Sequence, residues 1–449
     1  MDIVSLIGDF GSLVRILVAF VVALSIIVAI HEYGHYIVGR WSGIDADVFS
    51  LGFGPVVWSG VDKRGTRWQI AALPFGGYVK FAGDANAASG KDTAAMEEAA
   101  ADPAALRRTM HGAPLWARAA TVAAGPVFNF ILSIIVFAAV GMFSGVAKVP
   151  LTVGDLRPMP NAEQGLQTGD VIVAVDGVAM PTADSDDGTD FLSKLTRAPI
   201  LDYTIQRDGR EQVVQGPYLY PPLVGAVIPQ SAAMSAGLAV GDVITAIDGV
   251  EVFAFGQLKE AVEGGEGEPL ALAIWRDGET LDLTLQPRRV DEPQSDGSFT
   301  TYWRIGIGAG NAFEPAREAV GLGAAVSAGA AQTLRTIELT VSGLFNMVTG
   351  RIDSCNLTGP IRIAKTAGDV ASQGMEEFLW LIAVLSTAIG FFNLFPIPVL
   401  DGGHLVFYAY EAVFRRPPND KALQVMMVAG LVMVLALMAF ALSRDVLCP

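Results

Sequence analysis

His31-Glu32-Tyr33-Gly34-His35 closes an apolar run that begins near Leu13, and this placement limits the folds open to the chain more than any other feature. On a helix the two histidines lie one turn apart on one face, so both imidazoles can hold one zinc ion. Glu32 points about 100° away around the helix and is free to act as a base. The run from Leu13 to Ile30 carries one charge, Arg15, and is long enough to enter a bilayer. Ionisable groups at membrane depth are costly and mark a functional site by default. A cleaved secretory signal is the competing reading. The run exceeds an ordinary signal core, no small-residue cleavage pattern follows it, and removal would take the motif with it.

Composition extends this to the whole chain. Of 449 residues, 52% are hydrophobic and only 17% charged, which suits a multi-pass membrane protein with a sizeable soluble portion. Candidate spans run from about Leu13 to Val38, Ala117 to Phe143, Phe378 to Phe395 and Ala422 to Leu442. Lys and Arg gather after the first span, from Arg40 to Arg108, and between the third and fourth, at Arg415, Arg416 and Lys421. Both loops should therefore be cytoplasmic, with the long central segment and both termini on the other side. A net charge of −16 argues against a nucleic-acid binder. The acidic group Asp184, Asp186, Asp187 and Asp190 reads as solvated surface rather than a recognition site. Cys355 and Cys448 fall on one side of the membrane, but nothing compels a disulfide, and the reading leaves them unpaired.

The central segment repeats. Gly165-Leu166-Gln167-Thr168-Gly169-Asp170-Val171-Ile172 returns as Gly237-Leu238-Ala239-Val240-Gly241-Asp242-Val243-Ile244, and Arg207-Asp208-Gly209 as Arg276-Asp277-Gly278. Asp-Gly between alternating apolar residues signals a hairpin. Two copies indicate paired small domains, not a solenoid. The repeated phrase resembles the core of PDZ domains, which bind extended peptide ends by strand addition. Their carboxylate-binding loop would then lie near Val224-Gly225-Ala226-Val227, with Gly225 touching the peptide. A pair of spacers that bind nothing is the alternative.

The chain divides into 1–46 (first span with HExxH), 47–83 (apolar β segment turning at Asp62-Lys63-Arg64-Gly65), 84–116 (mobile cytoplasmic linker) and 117–145 (second span). Two PDZ-like domains follow at 146–218 and 219–292, then helices on the membrane surface at 293–376, and the last two spans at 377–449. The fold class is an α-helical multi-pass membrane protein with a membrane-associated β-hairpin region and two inserted α+β domains.

Zinc hydrolases usually supply three protein ligands and keep a fourth position open. Asn393-Leu394-Phe395-Pro396-Ile397-Pro398-Val399-Leu400-Asp401-Gly402-Gly403-His404 ends the third span, on the side where the first span ends. Asp401 is the better third ligand and His404 its rival; His111 reads as an ordinary surface residue. HEYGH, AAGPVFNF (Ala123 to Phe130), the paired domains and NLFPIPVLDGGH together resemble the site-2 protease family of intramembrane zinc metalloproteases, in particular its bacterial members with two PDZ units. That resemblance implies His31, His35 and Asp401 as zinc ligands, Glu32 as catalytic base and Asn393 as a substrate-binding group. It also implies single-pass substrates such as anti-sigma factors, cut in a stress response by regulated intramembrane proteolysis. The setting would be the bacterial inner membrane, with periplasmic PDZ domains and a zinc site near the cytoplasmic side. A PDZ module with an inactive metal site and a metal transporter are the competing classes. The first has no need of Glu32, and the second has too few ligands for a pathway.

Overall fold

The computed structural model describes residues 3–86, 90–160, 165–181, 188–294 and 298–448. The acidic group Asp184, Asp186 and Asp187 lies outside the described residues, as does the side chain of Asp190. The chain forms two units, Met1–Val140 with Leu322–Pro449, and Gly141–Gly321.

The first unit opens with α1 (Ile3–Trp41), β1 (Ala46–Val61), β2 (Arg67–Phe81), α2 (Thr93–Ala99), α3 (Pro103–Arg107) and α4 (Leu115–Ser144). Residues 48–51 of β1 pair with 67–70 on one side and with 77–80 on the other, while 56–61 pair with 67–71. Bends at Gly52, Gly54 and Gly76, all at positive φ, let two long strands fold back into this sheet. The 77–80 stretch is thus paired along one side only. Far from α1, the sheet exposes Val56, Val57, Trp58, Val61 and Leu73. The linker is docked, not mobile: Met110 and Ala113 are buried with Tyr36, Phe49, Phe81 and Ala117. Arg107 donates to the Ser42 carbonyl, and Asp45 takes Arg40 and Arg108. His111 is only partly exposed and lies 3.2 Å from the buried Asp84, so it is no plain surface residue.

The second unit begins with β3 (Val146–Ala147), β4 (Val153–Leu156), β5 (Val171–Val175), β6 (Val178–Ala179), α5 (Gly188–Lys194), β7 (Ile200–Arg207) and β8 (Arg210–Pro217). Its second copy holds β9 (Val224–Val227), α6 (Ala232–Ala236), β10 (Val243–Ile247), β11 (Val250–Glu251), α7 (Phe255–Gly264), β12 (Leu270–Arg276) and β13 (Glu279–Leu285). Then come β14 (Arg288–Pro293), β15 (Phe299–Arg304), β16 (Ile307–Ala309), β17 (Phe313–Pro315) and β18 (Arg317–Glu318). The sheets β6-β5-β7-β8 and β11-β10-β12-β13 have matching order. All four Asp-Gly pairs, from Asp176-Gly177 to Asp277-Gly278, hold positive φ at both residues, as two-residue hairpin turns require.

The two repeated phrases meet in space. Arg207 grips Asp170 through Nε and Nη2, both at 2.7 Å, and Arg276 grips Asp242 at 2.6 and 2.8 Å. Each arginine also donates to the glycine carbonyl that opens the phrase, Gly165 or Gly237. A bidentate pair of this kind satisfies a carboxylate that is 1% exposed.

The boundary expected at 293 falls elsewhere. β16 pairs with β9 and β17 with β4, so Ile305 joins the core of the second copy, and Ala312 and Phe313 join that of the first. Residues 293–321 complete the two copies instead of lying on a membrane.

The first unit resumes with α8 (Leu322–Val348), α9 (Pro360–Gln373), α10 (Met375–Asn393), α11 (Asp401–Phe414) and α12 (Asp420–Leu447). α8 is one 27-residue helix, packed so closely on α4 that a Cβ at Gly329 would lie 2.6 Å from the Ile134 carbonyl. Asp445 of α12 caps the N-terminus of α9, accepting from Gly359, Ile361 and Arg362 N–H. Cys355 and Cys448 form a disulfide beside this cap, although the sequence alone leaves them unpaired. Among the described residues, four helices are long and apolar enough to cross a membrane: α1, α4, α10 and α12.

Candidate metal centre

The site grows from two close approaches between α1 and α4. A Cβ on Gly34 would lie 2.6 Å from the Ala124 carbonyl, and one on Gly125 would lie 2.3 Å from His35 Nε2. Only glycine at these positions lets the α4 backbone sit directly against the imidazoles. α4 then holds both rings by their Nδ1 atoms: His35 Nδ1 is 2.9 Å from the Thr121 carbonyl, and His31 Nδ1 is 3.2 Å from the Asn129 amide. Both Nε2 atoms therefore face away from α4 and toward Asp401.

Asp401 is the first residue of α11. The turn before it leaves no room for side chains on the next two residues. A Cβ at Gly402 would be 2.3 Å from the Leu394 and Phe395 carbonyls, and one at Gly403 2.3 Å from that of Ile397. This is the structural reason for Asp-Gly-Gly at the start of the helix.

The three groups meet. His31 Nε2 lies 3.2 Å from Asp401 Oδ2, His35 Nε2 3.5 Å from Asp401 Oδ1, and the two Nε2 atoms 3.2 Å apart. A tetrahedral zinc with bonds of about 2.0–2.1 Å sets its ligand atoms about 3.3 Å apart, so these spacings are the edges of a zinc tetrahedron. Asp401 Oδ2 is buried with no hydrogen-bond partner among the described residues, which a cation would satisfy. The donor set fits zinc. His404 stands one turn further along α11 and lines the cavity, but it is outside this group of three.

A cavity of about 340 Å3 opens onto the centre, lined by Glu32, Asn393, Tyr78, Val79 and Tyr408 among others. The 77–80 stretch of β2 forms one wall, close enough that a Cβ on Gly77 would lie 3.0 Å from Glu32 Cγ. Gly225 lies elsewhere, in the second unit. It sits within a strand, β9, with the Ala309 carbonyl 2.6 Å from where its Cβ would be. The expected carboxylate-binding loop at Val224–Val227 is therefore corrected to a paired strand, because β16 closes beside it.

A metal centre of two histidines and an aspartate at the end of a spanning helix narrows the comparison with known proteins. The model of peptidase family M50 matches residues 19–437. The chain belongs to that family. It is 36% identical over 444 residues to a protein of Agrobacterium fabrum that carries the provisional name of zinc metalloprotease, covering 97% of each chain. It is 33% identical over 458 residues to the regulator of sigma-E protease RseP of Salmonella typhimurium, covering 96% of this chain and 98% of that one. To the protease RseP of Yersinia pestis it is 32% identical over 457 residues. Family M50 is the site-2 protease family and is zinc-dependent, so this chain is an intramembrane zinc metalloendopeptidase. The M50 centre has partners that the motifs do not reveal, namely Thr121, Gly125 and Asn129 on α4. Their signal was present as a proline and an asparagine inside an apolar helix, at Pro126 and Asn129.

Proposed function

We propose that this metalloprotease cuts single-pass membrane proteins in or beside their spanning helices, with Glu32 as its general base. His31, His35 and Asp401 would hold zinc, and the observation that carries the reading is their spacing of 3.2–3.5 Å beside a glutamate that none of them needs. Zinc, when bound, supplies Lewis acidity and lowers the pKa of water toward neutrality. A Glu32 carboxylate oxygen takes the proton of the attacking water and returns it to the nitrogen of the leaving amine. The Asn393 side-chain amide, at the end of α10 on the cavity wall, donates to the substrate backbone or to the developing oxyanion.

A helical substrate hides its peptide bonds and must be unwound before it is cut. The 77–80 stretch has one unpaired side and lines the cavity, which supports strand addition of the extended substrate there. The apolar tip of the same sheet, from Val56 to Val61, suits insertion into lipid while its backbone stays paired. The charged loops favour a cytoplasmic zinc site and a periplasmic second unit in the bacterial inner membrane. A disulfide between Cys355 and Cys448 agrees, because disulfides persist in oxidising compartments. The repeated copies resemble PDZ domains; with Gly225 inside a strand, a peptide carboxyl terminus would add beside the β9–β16 pair. Anti-sigma factors are the substrate class that this reading favours.

The test is cleavage of a single-pass anti-sigma-type substrate in liposomes by the wild type and by Glu32→Gln. The expected result is cleavage within the apolar segment by the first and none by the second. Undiminished cleavage by the variant would overturn the assignment of the base.

A further inference from the structure

We infer that Asn129 is a positioning residue for the metal centre, whose side-chain oxygen fixes the His31 tautomer that offers Nε2 to zinc. The inference rests on His31 being a zinc ligand. Asn129 is completely buried on α4, and its amide is 3.2 Å from His31 Nδ1. An imidazole that ligates through Nε2 carries its proton on Nδ1 and must donate from there. The arrangement with Asn129 Nδ2 facing Nδ1 fails that requirement, and it leaves Asn129 Oδ1 buried without a partner among the described residues. The two ends of an asparagine amide have nearly the same shape, so their orientation follows from the hydrogen bonds they can make. Turning the amide gives the orphaned oxygen the Nδ1–H it lacks and leaves the Nε2 lone pair free. His35 is served in the same way by the Thr121 carbonyl at 2.9 Å.

The residue is also anchored. Ser133 Oγ and Ser386 Oγ both donate to the Asn129 carbonyl at 2.9 Å, and Gly390 lets α10 press against its Cβ. The amide is therefore held by α4 and α10 together, and neither α1 nor α11 contributes to its placement.

The experiment measures zinc affinity of the full chain in detergent by chelator competition, together with the visible spectrum of the cobalt(II)-loaded protein. Asn129→Leu should weaken zinc binding about 10–100-fold and alter the cobalt spectrum, the range found when partners of metal ligands are lost. Asn129→Asp keeps an acceptor but has no N–H to donate, and it should bind zinc as the wild type does. Ser386→Ala removes an anchor while sparing the amide and should leave zinc affinity unchanged. Wild-type affinity in Asn129→Leu overturns the inference, as does equal weakening in Asn129→Asp or Ser386→Ala. Unchanged zinc affinity in His31→Ala would instead overturn the ligand set on which the inference stands.

Discussion

At the scale of residues, the metal centre depends as much on what is missing as on its ligands. Gly125 has no side chain, and a methyl group there would occupy the space of His35 Nε2, with His31 Cε1 only 2.8 Å away. Gly125→Ala should therefore displace both rings and lower cleavage by about 100-fold or more, since a shift near 1 Å at a reacting centre has that effect. A zinc assay on the same sample should show reduced occupancy; full activity would mean that α4 does not hold the rings. Both histidines and Asp401 were legible in the sequence because their motifs are short and local. Thr121 was not, because a backbone carbonyl leaves no trace in side-chain chemistry. Asn129 was visible as a residue, but its role depends on packing between α1 and α4.

At the scale of elements, the repeat was legible and its closure was not. The Asp-Gly turns fix β5–β6, β7–β8, β10–β11 and β12–β13 locally. β16 and β17 are three residues each, too short for any periodicity, and they pair with strands more than 80 residues earlier. Asp170 illustrates what holds one copy together. Burial pushes its carboxyl group up, but hydrogen bonds from Arg207 and the Gln167 N–H outweigh this and hold it below its ordinary value. Arg304 likewise holds the Glu292 carboxyl group low. A lowered folded-state pKa stabilises the fold above the unfolded value, near 4, and that contribution fades as pH falls through the lowered value. Unfolding of the full chain, followed by the near-ultraviolet signal of its second unit, should thus become easier below about pH 4. Asp170→Ala should lower stability at pH 7 by about 1–3 kcal/mol and flatten this acid dependence. An unaltered acid profile in that variant would assign the loss to other groups.

At the scale of the whole molecule, four spans and their order were readable from apolar length alone. The joins between elements depended on contacts the sequence does not display. The linker from 84 to 116 looked mobile because it is rich in alanine and charge, yet Met110 and Arg107 dock it on α1 and the sheet. The cysteine pair closes a separation of 93 residues, which no local pattern marks. With only two cysteines in the chain, it also reports sidedness. In intact cells a membrane-impermeant maleimide should label Cys355 and Cys448 only after an impermeant reductant is added. Labelling without reductant would contradict the disulfide, and no labelling after it would contradict the orientation.

The central claim is that two motifs more than 360 residues apart build one zinc centre from His31, His35 and Asp401. Zinc content of the purified full chain, compared with Asp401→Ala and His404→Ala, tests it most directly. The account predicts one zinc per chain in the wild type and in His404→Ala, and strong loss in Asp401→Ala. Retained zinc in Asp401→Ala with loss in His404→Ala would contradict it.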